Sequence, residues 1–135
     1  MSNSDLIDHN VSILVVDDQA LTRSMVKSIL KGLGYAVVLV AESANIAMEL
    51  LENEKVDLII CDWNMPQMTG LEFLKKVRSI PSLRKIPFLM LTAEAYRENV
   101  SAAIAAGVTD YIAKPFTPDV LAEKVEKTLR KIQKK

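Results

Sequence analysis

Leu58-Ile59-Ile60-Cys61-Asp62-Trp63-Asn64-Met65-Pro66 decides the fold of this chain. An apolar run ends at a carboxylate, and a proline follows four residues later. A short apolar run closed by a turn signal reads as a strand buried on both faces, as in a parallel sheet covered by helices. The strand is read over Asp57 to Cys61, which puts Asp62 at its carboxyl end. In open α/β sheets that edge is where ligands bind.

Upstream, Ile13-Leu14-Val15-Val16 is a first strand running straight into Asp17-Asp18. A helix follows with Val26, Ile29, Leu30 and Leu33 at helical spacing, and Gly32 and Gly34 mark its end. Ala36 to Ala41 is a second apolar run. Ser43 is placed to cap the next helix, whose inner face is Ala44, Ala47, Met48 and Leu51. Downstream of the Met65 to Gly70 loop, Leu71, Leu74 and Val77 mark a third helix. Pro87 opens a fourth strand, Phe88 to Leu91, which ends at Thr92. An alanine-rich helix from Glu94 to Ala106 is stopped by Gly107, and Asp110 to Ala113 is a short fifth strand ending at Lys114-Pro115. Thr117-Pro118 reads as an N-cap followed by proline at the first helical position. The last helix is expected to bury Leu121, Val125, Thr128, Leu129 and Ile132 and to turn its lysines to solvent.

Strands and helices that alternate in this way predict an α/β fold, a doubly wound parallel sheet with right-handed crossovers. The 135 residues fit one domain, and half of them are hydrophobic, enough for a sizeable core. Residues 1–10 are polar and read as a flexible leader, with His9 as a solvated surface residue. Residues 11–135 form the domain, and the single helix after Thr117 leaves no room for an output module. The formal net charge of +0 gives no global attraction to nucleic acid or a membrane surface. No apolar run approaches the ~20 residues that span a bilayer. The lone Cys61 excludes an internal disulfide and fits a reducing compartment; inside an apolar strand it is a small core residue, not a reactive thiol.

The strand ends carry the chemistry. Asp17 and Asp18, Asp62, Thr92 and Lys114 each close a different strand, and in a parallel sheet those ends share one edge. Each alone is ordinary. Together, three carboxylates raise one another's pKa, and a hard divalent cation relieves the repulsion. Magnesium suits an oxygen-only set that leaves water positions open, whereas the thiolate and imidazole ligands that zinc prefers are absent. A nearby lysine and hydroxyl suit a phosphoryl group. There is no phosphate-binding glycine loop, so the phosphoryl group is better read as covalent, on a carboxylate nucleophile.

Leu14-Val15-Val16-Asp17-Asp18, Asp62-Trp63-Asn64-Met65-Pro66, Leu91-Thr92-Ala93-Glu94-Ala95 and Tyr111-Ile112-Ala113-Lys114-Pro115-Phe116-Thr117 resemble the receiver domains of two-component response regulators. More narrowly, the chain is similar to the single-domain regulators of chemotaxis. The resemblance implies a flavodoxin-like sheet of strand order 2-1-3-4-5, the order known for that group. It implies that Asp62 accepts a phosphoryl group from a CheA-like histidine kinase. Magnesium would be held by Asp18, Asp62 and the Asn64 carbonyl, with Asp17 acting through water. Thr92, Ala93 and Lys114 would bind the phosphoryl group, and Thr92 and Tyr111 would form the switch. Asn64 and Glu94 would flank the water of a slow self-dephosphorylation. Ala95, Arg97, Val100, Tyr111, Phe116 and Lys124 would lie on the surface of the fourth helix, fifth strand and fifth helix that a partner reads. The implied partners are that kinase, a phosphatase and a downstream protein such as a flagellar switch component. The implied setting is a cytoplasmic monomer in motility signalling that touches neither nucleic acid nor membrane.

Three stretches depart from the commoner pattern. Glu42-Ser43-Ala44 lacks the glycine usual in that turn. Gln19-Ala20 stands where chemotaxis regulators commonly have Phe-Ser, and Tyr96-Arg97 where they commonly have two lysines. Two other readings are open at this level: a phosphate-independent adaptor with a vestigial site, and an aspartate-nucleophile phosphatase of the haloacid dehalogenase kind. The second carries Asp-x-Asp on its first strand, whereas here the nucleophile is on the third and Asn64 stands two residues on.

Overall fold

A computed structural model describes residues 7–93 and 97–133. The chain alternates strictly: β1 (Ser12–Val16), α1 (Ala20–Gly32), β2 (Val37–Ala41), α2 (Ala44–Asn53), β3 (Leu58–Asp62), α3 (Gly70–Ser79), β4 (Phe88–Thr92), α4 (Arg97–Ala105), β5 (Asp110–Ala113) and α5 (Pro118–Gln133). All pairings are parallel, in the expected order β2-β1-β3-β4-β5.

The three central strands β1, β3 and β4 are buried at every position, which is why they read as continuous apolar runs. Side chains alternate across the sheet and build two core layers. One face carries Ile13, Val15, Ile60, Leu89 and Leu91 against Val26 and Leu30 of α1 and Leu121, Val125 and Leu129 of α5. The other carries Leu14, Val16, Ile59, Cys61, Phe88 and Met90 against Ala44, Ala47 and Leu51 of α2 and Phe73, Leu74 and Val77 of α3. Each fully buried Leu, Ile or Phe contributes about 1.5–3 kcal/mol.

Helix starts follow the side chains that can satisfy the free N–H groups of a first turn. Ser43 Oγ accepts from Ile46 N at 3.2 Å, and Thr117 Oγ1 accepts from Val120 N at 3.2 Å. Thr69 and Glu72 form a reciprocal capping box at α3. α1 ends at the left-handed Gly34, φ 99°. Behind the sheet, Arg78 of α3 ties two loops together. Its Nε donates to the Gly107 carbonyl at 2.9 Å and its Nη1 to the Ile86 carbonyl at 2.7 Å.

Several expectations are corrected. Residues 7–10 are not a loose leader. Ile7 is in the core at 6% exposure, and the His9 carbonyl accepts from Ala36 N at 3.1 Å. His9 is not simply solvated, because its ring lies 4.8 Å from that of Tyr35. β3 is shifted by one residue, so Asp62 belongs to the strand and Asp57 does not. Phe73, which the sequence reading did not name, joins Leu74 and Val77 in the α3 core, while Leu71 packs against that core only partly buried. Leu33 and Ile132 are 37% and 39% exposed, because both fall at helix ends beyond the reach of the sheet. Cys61 is fully buried, as expected.

Candidate functional site at the carboxyl edge of the sheet

The register of the sheet brings the strand ends level: Val16 pairs with Cys61, Asp62 with Leu91, and Thr92 with Ala113. The residues that end or follow these strands therefore converge. Oxygens of Asp17, Asp18 and Asp62 lie within 4.8 Å of one another. Asp17 is fully buried, Asp62 is 6% exposed, and Asp18 faces solvent.

The backbone fixes this arrangement. Asp17 N donates to the Ala41 carbonyl of β2 at 3.1 Å, and Trp63 N to the Leu91 carbonyl of β4 at 2.8 Å. Lys114 N donates to the Thr92 carbonyl at 2.8 Å, so the lysine leaves the sheet beside the hydroxyl residue. Gly70 N donates to the Trp63 carbonyl at 2.8 Å, which seats the first turn of α3 behind Asp62. The Lys114–Pro115 peptide is cis.

Lys114 Nζ donates to Asp62 Oδ1 at 2.8 Å and also meets Asp17 Oδ2 at 3.4 Å. The other Asp17 oxygen accepts from Gln19 N at 2.9 Å, and Arg23 Nη1 donates to the Asp17 carbonyl at 2.7 Å. Burial pushes the Asp62 carboxyl above its ordinary value. The Lys114 hydrogen bond opposes that, and the Asp17 charge adds to it. Burial alone would lower the Lys114 ammonium, but the bond to Asp62 and the two carboxylate charges outweigh it, and its pKa is raised. One cation thus neutralises part of a cluster that holds three acidic side chains.

The donor set is oxygen-only. Cys61 Sγ donates to the Asp62 carbonyl at 3.3 Å and is buried among apolar side chains, so it is no competing soft ligand. A cluster of this kind could hold a hard divalent cation.

The remaining expected residues fall into place around the cluster. Asn64 is exposed in the turn after β3, and Ala93 is exposed after β4. Thr92 is 3% exposed and shares a small apolar cavity with Trp63, Met90, Asn99, Val100, Ala103 and Tyr111. Phe116 and Lys124 are half-buried on the β5–α5 side. Glu94, Ala95 and the side chain of Arg97 lie outside the described residues. The contacts of Gln19 and Arg23 on Asp17 were missed in the sequence. An arginine in the first turn of the following helix, six residues after Asp17, carries no signal that it will turn back to the strand end.

A family model described as the response regulator receiver domain matches residues 13–126. The chain belongs to that family. The receiver domain is 40% identical to the chemotaxis protein CheY of Pseudomonas aeruginosa over 122 residues, covering 90% of this chain and 98% of that one. It is 47% identical to the chemotaxis protein CheY1 of Helicobacter pylori over 120 residues, covering 88% and 97%. Among solved structures, the chemotaxis response regulator CheY4 of Vibrio cholerae matches with a TM-score of 0.85 at 37% identity, over 89% of this chain and 99% of that one. A CheY-like receiver domain protein of Methanospirillum hungatei gives a TM-score of 0.85 at 33% identity, over 93% and 98%. Receiver domains of this group are signalling proteins, not enzymes in the usual sense. No helix among the described residues is long and apolar enough to cross a membrane.

Proposed function

We propose that this receiver domain is a stand-alone response regulator that takes a phosphoryl group onto Asp62 from the phosphohistidine of a CheA-like kinase. The observation that carries the reading is the Lys114 ammonium held 2.8 Å from Asp62 Oδ1 and 3.4 Å from Asp17 Oδ2, at the edge where four strand ends converge. In the transfer, an Asp62 oxygen forms the new P–O bond while the P–N bond of the donor breaks, and the imidazole nitrogen leaves with the bonding pair. Asp62 is suited to this because it is shielded from solvent and its carboxylate is paired with the Lys114 ammonium. Lys114 then shifts from the carboxylate to a phosphoryl oxygen. At ~4 Å and an effective dielectric of ~20, such an attraction is about 4 kcal/mol per charge pair before desolvation. The Thr92 hydroxyl and the Ala93 N–H donate to the other oxygens.

Asp18, Asp62 and the Asn64 carbonyl are the groups that would hold magnesium, with Asp17 acting through water. When bound, the ion neutralises phosphoryl charge. Asp17 suits an indirect role because both its carboxylate oxygens are already engaged, by Gln19 N and Lys114.

Output follows from the same residues. Movement of Thr92 toward the phosphoryl group changes the cavity it shares with Tyr111, and the surface of α4, β5 and α5 changes with it. Val100, Tyr111, Phe116 and Lys124 lie there, and a partner, a flagellar switch component in a chemotaxis pathway, reads it. Asn64 and Glu94 flank the hydrolytic water in slow self-dephosphorylation, the step on which a phosphatase would act. The protein works as a cytoplasmic monomer.

Trp63, the only tryptophan, tests this. Its fluorescence is followed on adding magnesium and then beryllofluoride, in wild type and in Asp62→Asn. A magnesium-dependent change followed by a second step lost in Asp62→Asn is the expected result. Magnesium-independent partner binding with no second step would overturn the reading in favour of an adaptor.

A further inference from the structure

Tyr111 is held from two sides by residues that the phosphoryl chemistry does not use. Asp110 Oδ1 accepts from Tyr111 N at 2.8 Å. The other oxygen of the same carboxylate, Oδ2, accepts from Lys124 Nζ at 3.1 Å. That places the Lys124 ammonium 5.7 Å from the centroid of the Tyr111 ring. The ring is half-buried, and it lines the apolar cavity that also contains Thr92. Lys124 reaches it from the second turn of α5, and its side chain is 29% exposed while that of Asp110 is 24% exposed.

Each contact is modest alone. An ammonium over a tyrosine ring and a partly exposed ion pair are both weak interactions. Their geometry couples them. Asp110 aims the ammonium, and the ammonium covers the outer face of the ring. The carboxylate also fixes the backbone from which the ring projects.

We infer that Asp110 and Lys124 form an electrostatic latch that positions the Tyr111 ring against its cavity and sets the threshold of the switch. The inference rests on the proposed role of Tyr111 in that switch. Asp110 and Lys124 are positioning residues that act through Tyr111. Because Asp110 and Tyr111 are adjacent on β5 while Lys124 is on α5, the latch also couples strand to helix within the partner-reading surface.

Asp110→Asn isolates the ion pair, since an asparagine oxygen still accepts from Tyr111 N. Lys124→Met keeps the apolar stem and removes the charge, and Lys124→Arg restores it. The readout is ¹⁹F NMR of fluorotyrosine-labelled full-length protein. Its three tyrosine signals are assigned with Tyr111→Phe. In the magnesium-free, phosphate-free protein, Asp110→Asn and Lys124→Met should each move the Tyr111 signal and raise its solvent isotope shift. The double variant should match the singles, and Lys124→Arg should match wild type. On adding magnesium and beryllofluoride, half-conversion should need roughly two- to five-fold less beryllofluoride in the variants. A Tyr111 signal unmoved in both single variants, or single effects that simply add, would overturn the latch. If wild type does not respond to beryllofluoride, the phosphoacceptor reading fails, while the unliganded spectra still decide the latch. Thermal melts of each variant separate a shifted ring from a damaged fold.

Discussion

The Lys114 ammonium binds Asp62 at 2.8 Å across 52 residues of sequence, and it also meets Asp17 at 3.4 Å, so two of the three clustered carboxylates share it. Its removal should have two opposite effects. Lys114→Met leaves the acidic side chains unscreened, so in EDTA the protein should lose about 1–3 kcal/mol, less than for a fully buried pair because the lysine side chain is 22% exposed. The same change removes a competing cation, so magnesium should bind more tightly. Urea melts with and without magnesium measure both. Equal stability of the two proteins in EDTA would mean that the ion pair contributes nothing net.

Gly70 should tolerate no side chain. A Cβ there would collide with the Asp62 carbonyl, and it would lie 2.9 Å from Met90 Sδ and 3.0 Å from Trp63 Cα. Two of those neighbours are backbone of the β3 exit and cannot rotate away. Gly70→Ala should therefore cost about 1–3 kcal/mol despite alanine's better helix propensity. It should also blunt the Trp63 response to magnesium. An alanine variant as stable as wild type would mean that α3 can retreat from the site at no cost.

Tyr35 gives a pH prediction whose sign is fixed. Its hydroxyl is buried with no hydrogen-bond partner among the described residues. Burial first, and then the Glu126 charge, push it from 10.0 up to about 12. A raised phenol pKa means that the unfolded chain ionises first, so stability is full below pH 10 and falls as pH rises toward 12. At about 1.4 kcal/mol per pH unit, wild type should lose about 2–3 kcal/mol over that window relative to Tyr35→Phe. Near neutrality, Tyr35→Phe should be neutral or slightly stabilising, because it removes an unsatisfied polar atom. Parallel denaturation curves for the two proteins from pH 10 to 12 would contradict this.

Cys61 should be silent in the native state. It is fully buried, and burial, with the Asp62 and Asp17 charges adding, pushes its thiol well above the usual range. A thiol reagent should label it only at the rate of unfolding, and magnesium should slow that labelling if the ion binds the native site. Fast labelling under native conditions would show that β3 opens locally.

Much of this was legible in the sequence for a physical reason. A strand buried on both faces leaves an uninterrupted apolar run, so its end, and the polar residue placed there, stand out. Asp17, Asp62, Thr92 and Lys114 could therefore be assigned to one sheet edge before any coordinates. Ser43 and Thr117 announced their helices because few side chains can cap. What stayed hidden depends on contacts without period. Ile7 is one apolar residue in a polar stretch, and His9 shows no sign of the tyrosine it packs on. Phe73 is buried beside Leu74 and Val77 while Leu71 is only partly covered, because the docking of α3 on the sheet, which no local pattern encodes, decides which side of the apolar stripe is covered most. The pairing of Asp110 with Lys124 needs the docking angle of α5 on β5, which no local pattern encodes.

The clasp of Arg78 on the Gly107 and Ile86 carbonyls has a mechanical meaning. α4 runs from the edge that holds Thr92 to the turn at Gly107, and Arg78 pins that turn to α3. One end of the helix is moored and the other adjoins the chemistry. In the proposed switch, a displacement that begins beside Thr92 would be levered about a fulcrum at Gly107, swinging the near end of α4 while the far end stays with the frame.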